Sequence, residues 1–110
     1  MRPLFLMLLM IISTLVFAVE ESVSSKIKVV YAYPEYGGGD VVFQLAIPSQ
    51  TCKGYWLNKD APGQQVTLSM LIAAYHAKID VKVLGHPEES NKWQGSTEHF
   101  CKLYAVIYGL

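Results

Sequence analysis

A chain of 110 residues has room for one domain, and with 52% hydrophobic and only 16% charged residues it is too apolar to remain disordered. Nine Lys and Arg balance nine Asp and Glu, and the lysines are spread singly, so no basic stripe exists for a phosphate backbone and no nucleic acid partner is expected.

Arg2, the apolar run Leu4–Phe17 broken only by Ser13 and Thr14, and the small residue Ala18 form the three parts of a secretory signal over residues 1–18. An uncleaved anchor is the competing reading, but the run is shorter than the roughly 20 residues that cross a hydrocarbon core. Residues 19–110 are then one mature domain, secreted or periplasmic, with no membrane span after signal cleavage. So short a chain buries only about 60–65% of its unfolded surface and needs a staple. Cys52 and Cys101 are its two cysteines, and in an oxidising compartment they are expected to form one disulfide, worth about 4 kcal/mol in the chain-entropy picture.

Val19–Ser25 is polar and acidic and reads as a loose tail. From Lys26 to Tyr33, Ile27, Val29, Tyr31 and Tyr33 alternate with lysines, the period of a half-buried strand. Pro34 ends it, and Gly37-Gly38-Gly39-Asp40 makes a turn into a second strand, Val41–Ile47, completing a hairpin. Cys52–Leu57 is a short third strand. A loop with Asp60, Pro62 and Gly63 leads into a helix whose Leu68, Leu71, Ile72, Tyr75 and Ile79 form one apolar stripe. Met70, Ala73, Ala74 and Ala77 form a second strip on the other side, and no charge occurs between Asp60 and Lys78. A helix apolar on two sides packs on two sides, so it is either wrapped within the domain or meets a neighbouring subunit, and these four residues are candidates for an oligomer interface. Asp80–Leu84 is a fourth strand, His86–Thr97 a polar loop holding Trp93, and Glu98–Tyr108 a long fifth strand, apolar on both faces.

This order predicts a mainly β, OB-fold-like five-stranded barrel with one α-helix between strands three and four. A ferredoxin-like sandwich is the alternative, but it requires a second helix.

Cys52-Lys53-Gly54-Tyr55-Trp56-Leu57-Asn58, then Leu71-Ile72-Ala73-Ala74 in the helix, then Val81-Lys82-Val83-Leu84-Gly85, resemble the B subunits of AB5 toxins such as subtilase cytotoxin and typhoid toxin, over nearly the whole mature chain. The resemblance implies an OB-type fold, a homopentameric ring with helices about its centre, a catalytic A subunit as partner, and binding of sialylated host glycans. It also implies a sugar-holding serine in the first strand and a tyrosine on the strand after the helix. Ser25 is the only serine adjacent to the first strand, and the post-helix segment reads Val83-Leu84-Gly85, without a tyrosine. The family's sugar site is therefore not carried over whole.

Trp93 is the foremost ligand candidate on chemical grounds, because an aromatic face is what a sugar ring stacks on; the competing reading folds it back onto the core. Tyr31, Tyr33 and Tyr36 offer a second aromatic surface. His76, His86 and His99 lack the i, i+4 spacing of a helical zinc site and no C-x-x-C is present, so no metal is expected. Glu88 and Glu89 are adjacent loop residues that point apart, and no serine lies in a nucleophile elbow, so neither catalytic residues nor a cofactor are expected. The expected function is a secreted, glycan-binding, ring-forming module; the alternative is a periplasmic protein-binding or inhibitor domain without a toxin partner.

Overall fold

The structure, a computed structural model, describes residues 18–109. The signal assigned to residues 1–18 lies outside them except for Ala18. Within the described residues, six strands, one α-helix and one 3-10 turn follow in the order β1 (Glu20–Glu21), β2 (Ile27–Tyr33), β3 (Asp40–Leu45), β4 (Gly54–Leu57), α1 (Gln64–Ala77), β5 (Val81–His86), the turn Glu89–Asn91, and β6 (Phe100–Tyr108). Among the described residues no helix is long and apolar enough to cross a membrane. The strands form one mixed sheet in the order β1-β5-β6-β4-β3-β2, antiparallel throughout except where β4 runs parallel to β6.

The mainly β class and the helix after the strand that follows Cys52 are as read from the sequence. The strand number differs from the five expected: the sheet has six strands and is open, with β1 and β2 as its edges. The extra strand arises in the stretch read as a loose tail. Its polar groups are spent on the sheet rather than on solvent. The Ser22 backbone N–H donates to the Val83 carbonyl at 2.8 Å, and the Ser22 hydroxyl accepts the Val83 N–H at 2.9 Å. Between the two edge strands, Ser25 makes an isolated antiparallel bridge to Val81. A polar side chain that satisfies a backbone group can be buried at little cost, and Ser22 and Ser25 are both buried.

β3 shows why two layers cover the sheet. Val41, Phe43 and Leu45 face the main core, which also holds Ile27, Tyr55, Leu57, Val81, Val83 and, from α1, Leu71 and Ala74. Val42 points the other way, against Trp93 and Phe100, with Trp56 packed beside them. The segment between β5 and β6 thus roofs the face opposite the helix. Cys52 and Cys101 are fully buried and joined by a disulfide with Cα atoms 5.4 Å apart, tying the approach to β4 onto β6. Two glycines permit close strand contacts: a Cβ at Gly54 would stand 2.6 Å from the Phe100 ring, and one at Gly85 2.8 Å from Tyr55.

The helix sits differently from its expected stripe. Leu71 and Ala74 are buried and Leu68 packs beside them, whereas Ile72, Tyr75 and Ile79 are 53%, 40% and 39% exposed. Lys78 ends it in the left-handed conformation, φ 56°, with its N–H on the Ala74 carbonyl.

Candidate functional site

The β2–β3 hairpin carries its aromatic residues out past the core. Tyr31 and Tyr33, two apart on β2, share one face with ring centroids 6.2 Å apart, and both are exposed. The chain then turns at Tyr36, whose carbonyl accepts the N–H groups of Gly39 and Asp40, each at 3.1 Å. Gly37, Gly38 and Gly39 all have positive φ, a run only glycine tolerates. At Gly37 the demand is also steric, since a Cβ there would lie 2.1 Å from Asp40 Oδ2.

Trp93 arrives from the roofing segment. Three hydrogen bonds fix that segment: the Trp56 indole donates to the Asn91 carbonyl at 2.8 Å, the Trp93 backbone N–H to the Phe100 carbonyl at 2.9 Å, and the Trp93 indole to Asp40 Oδ2 at 2.8 Å. Gly95 lets the chain curl over the ring, because a Cβ there would stand 2.4 Å from it. Trp93 meets Tyr33 and Tyr36 with centroids 5.6 Å apart in each case, and Tyr36 approaches edge-on at 83°. The ligand candidates Tyr33, Tyr36 and Trp93 therefore share one aromatic cluster, which Tyr31 joins through Tyr33.

The cluster walls two adjoining depressions. One, of about 130 Å³, lies among Tyr33, Tyr36, Trp93 and Gly95. The other, a groove of about 440 Å³, is lined by Tyr36, Gly37, Asp40, Trp56, Asn58, Ser90, Lys92, Trp93 and Gln94. Asp40 is only 4% exposed, and its second carboxylate oxygen, Oδ1, has no hydrogen-bond partner among the described residues. A buried carboxylate oxygen without a donor carries a desolvation cost that an arriving donor removes. Aromatic walls, a few fixed polar groups and a buried acceptor are features that small-ligand sites share.

The chain matches no protein-family model, no curated protein and no solved structure.

Ser25, the remaining candidate, stands elsewhere. It is 3% exposed, its hydroxyl donates to the Lys26 carbonyl at 3.0 Å and accepts the Ile47 N–H at 3.0 Å, and it closes the bridge to Val81. Its place is in the fold, remote from the aromatic cluster in the contacts it makes. Of the four interface candidates, Ala73 and Ala77 are exposed, Met70 is half-buried with its carbonyl accepting the Tyr108 hydroxyl, and Ala74 belongs to the main core. The exposed side of α1 is completed by Val66 and Ile72, 68% and 53% exposed.

A second polar assembly surrounds the disulfide. Glu20 accepts the backbone N–H groups of Cys52 and Thr51 at 2.9 and 3.0 Å. Burial pushes its carboxyl pKa up, but these bonds and the nearby His99 outweigh that and hold it below the usual glutamate value. Burial raises the Tyr55 phenol, only partly offset by the hydroxyl of Ser49 at 3.3 Å. His86 and His99 approach Glu88 and Glu89 at 3.9 and 3.7 Å, and among the described residues no group of three or more His, Cys, Asp or Glu could hold a metal.

Asp40, Asn58, Lys92 and Gln94 were not singled out from the sequence. Asp40 had one available signal, a carboxylate placed between a glycine turn and an otherwise apolar strand.

Proposed function

We propose that the protein is an exported binding module that holds a sugar against the Tyr33–Tyr36–Trp93 cluster and assembles with copies of itself through α1. The observation that carries the sugar reading is the meeting of three aromatic side chains from the hairpin and the roofing segment beside a groove with polar groups fixed in its wall. Carbohydrates present apolar C–H faces and a girdle of hydroxyls, and such a wall answers both. Export is supported by the signal pattern of residues 1–18 together with the Cys52–Cys101 disulfide. An OB-like barrel is supported by one continuous stretch, Glu20–Tyr33, which pairs with β5 at one edge of the sheet and with β3 at the other. Self-assembly in a ring like that of AB5 toxin B subunits is supported by α1, a helix free of Asp, Glu, Lys and Arg that leaves Val66, Ile72 and Ala73 uncovered. A catalytic A subunit as the partner of such a ring belongs to the same reading.

Exposed tyrosines favour a second reading, a protein-binding or inhibitor domain, since tyrosine concentrates at protein interfaces. A glycan array probed with the purified protein and with Tyr36→Ala tests the first. Sugar signals lost in the variant, with unchanged circular dichroism, are expected; an array silent for the wild-type protein at high concentration overturns the sugar reading. Light scattering on the same sample is expected to give a mass several times that of one chain.

A further inference from the structure

We infer that the depression between β2 and the C-terminal end of α1 is a second binding site, which takes the phosphate or sulfate group of a small ester. The inference is independent of the sugar reading, since this site shares no lining residue with the aromatic cluster or its groove.

The lysines are spread singly along the sequence, yet folding gathers three of them here. Lys26 and Lys28 flank the buried Ile27 at the start of β2, Tyr75 and His76 come from the last turn of α1, and Lys78 is its C-cap. Together they line a depression of about 310 Å³ with no carboxylate in its wall. Two other lysine-lined depressions each contain an acid: Asp60 lines one with Lys102, and Asp40 lines the groove with Lys92. The carboxylate that reaches this set is that of Asp80, 3.1 Å from Lys26 Nζ. Both partners of that pair are more than half exposed, so it holds Lys26 weakly, and Lys28 and Lys78 make no ion pair among the described residues. A concave wall of one sign raises the local concentration of an arriving anion.

The end of α1 accounts for only part of this charge. Its Ala74 carbonyl is met by the backbone N–H groups of Lys78 and Ile79, and a cation near a helix C-terminus is favourable in itself. Lys26 and Lys28 come from another element, and that reason does not reach them. Lysine is a compact point charge that suits a tetrahedral oxyanion, whereas planar carboxylates are matched best by the arginine fork, which is absent from residues 19–110. Tyr75, its ring 5.6 Å from that of His76 and steeply inclined to it at 74°, offers an apolar wall to the carbon skeleton that bears the group.

Amide NMR on the intact oxidised protein tests this, with glucose 6-phosphate, glucose 6-sulfate and inorganic phosphate as probes and glucose as the neutral control. At least one ester is expected to shift the resonances of Ile27, Lys28, Tyr75, His76 and Lys78 with a Kd on the order of 1 mM, more tightly than inorganic phosphate. Glucose is expected to leave these resonances in place. Raising the salt from about 20 to about 200 mM is expected to weaken the ester at least about threefold. Lys28→Gln and Lys78→Asn each remove one charge, the latter with a residue that tolerates the left-handed backbone, and about a threefold loss is expected from each. Lys59→Gln, outside the site, is expected to change nothing. The two esters distinguish phosphate from sulfate as the preferred group. Inorganic phosphate bound as tightly as either ester overturns the ester and leaves an anion site. Silence of all three anions at these residues up to about 20 mM, glucose shifts as large as those of the esters, or full binding in both lysine variants overturns the site itself. The sugar reading is untouched by any of these results, because it is tested at Tyr36.

Discussion

Trp93 and Asp40 act as one unit in this protein. The indole fills the small core on the roofed face, and the carboxylate, reached only because Gly37 has no side chain, takes its N–H. Trp93→Ala removes a ring that is 6% exposed and is expected to cost about 3–5 kcal/mol in chemical denaturation. Trp93→Phe retains most of the packing but leaves Asp40 with neither oxygen partnered, and about 1–3 kcal/mol is expected from that loss alone. A Trp93→Phe variant as stable as the parent would show that the Asp40 bond contributes nothing net. At this scale the sequence was partly legible. Tyr33 and Tyr36 could be named because exposed aromatic residues near turns have few purely structural uses; Trp93 was named for its aromatic face, but it is folded back onto Val42 and Phe100. Asp40 could not be named, because its significance comes from burial beneath the turn, and burial of a carboxylate is a tertiary fact.

Among the elements, the β2–β3 hairpin was the most legible, since Pro34 and three consecutive glycines place its turn, although a register shift between Ile27 and Val29 breaks the simple alternation and brings Val30 to the core. β1 was illegible: two residues have no periodicity, and its stability comes from pairing with β5 rather than from its own composition. The helix was legible in extent but not in orientation. With no charge on any side, several stripes compete, and the one through Ile72, Tyr75 and Ile79 proved to be the partly exposed one. This leads to a contrast that separates core from interface. Leu71→Ala is expected to destabilise the fold by about 2–5 kcal/mol. Ile72→Lys lies on the exposed side and is expected to change stability by no more than about 0.5 kcal/mol while reducing the mass seen by light scattering to that of one chain. An unchanged assembly in Ile72→Lys would remove α1 from the interface.

Across the fold as a whole, Glu20 on β1 reaches the segment before β4, where its carboxylate caps the N–H groups of Thr51 and Cys52 next to the disulfide. Its pKa in the folded state lies below the usual value of 4.5, so the folded protein binds the proton less readily than the unfolded chain does. The stabilisation is therefore full above the unfolded value and is lost as pH falls through the folded one. Tyr55 acts at the other extreme: its raised pKa contributes stability below 10.0 that is lost as pH rises through the folded value. Thermal melts of the parent and Glu20→Gln are expected to differ most near neutral pH and to converge in acid. Curves that remain parallel down to pH 3 would assign the clasp no role in acid stability.

The parallel pairing of β4 with β6 sets the order of events during refolding. An antiparallel hairpin such as β2–β3 closes across a few residues, but Gly54 can meet Phe100 only after α1, β5 and the tryptophan segment have been brought round between them. Loop-closure entropy then opposes the step that completes the sheet, which places the chain with the slower, non-locally paired folders on the millisecond-to-second scale. With Cys52 and Cys101 already linked, that search is shortened, so oxidation of this one pair of thiols governs how quickly the last strands of the sheet meet.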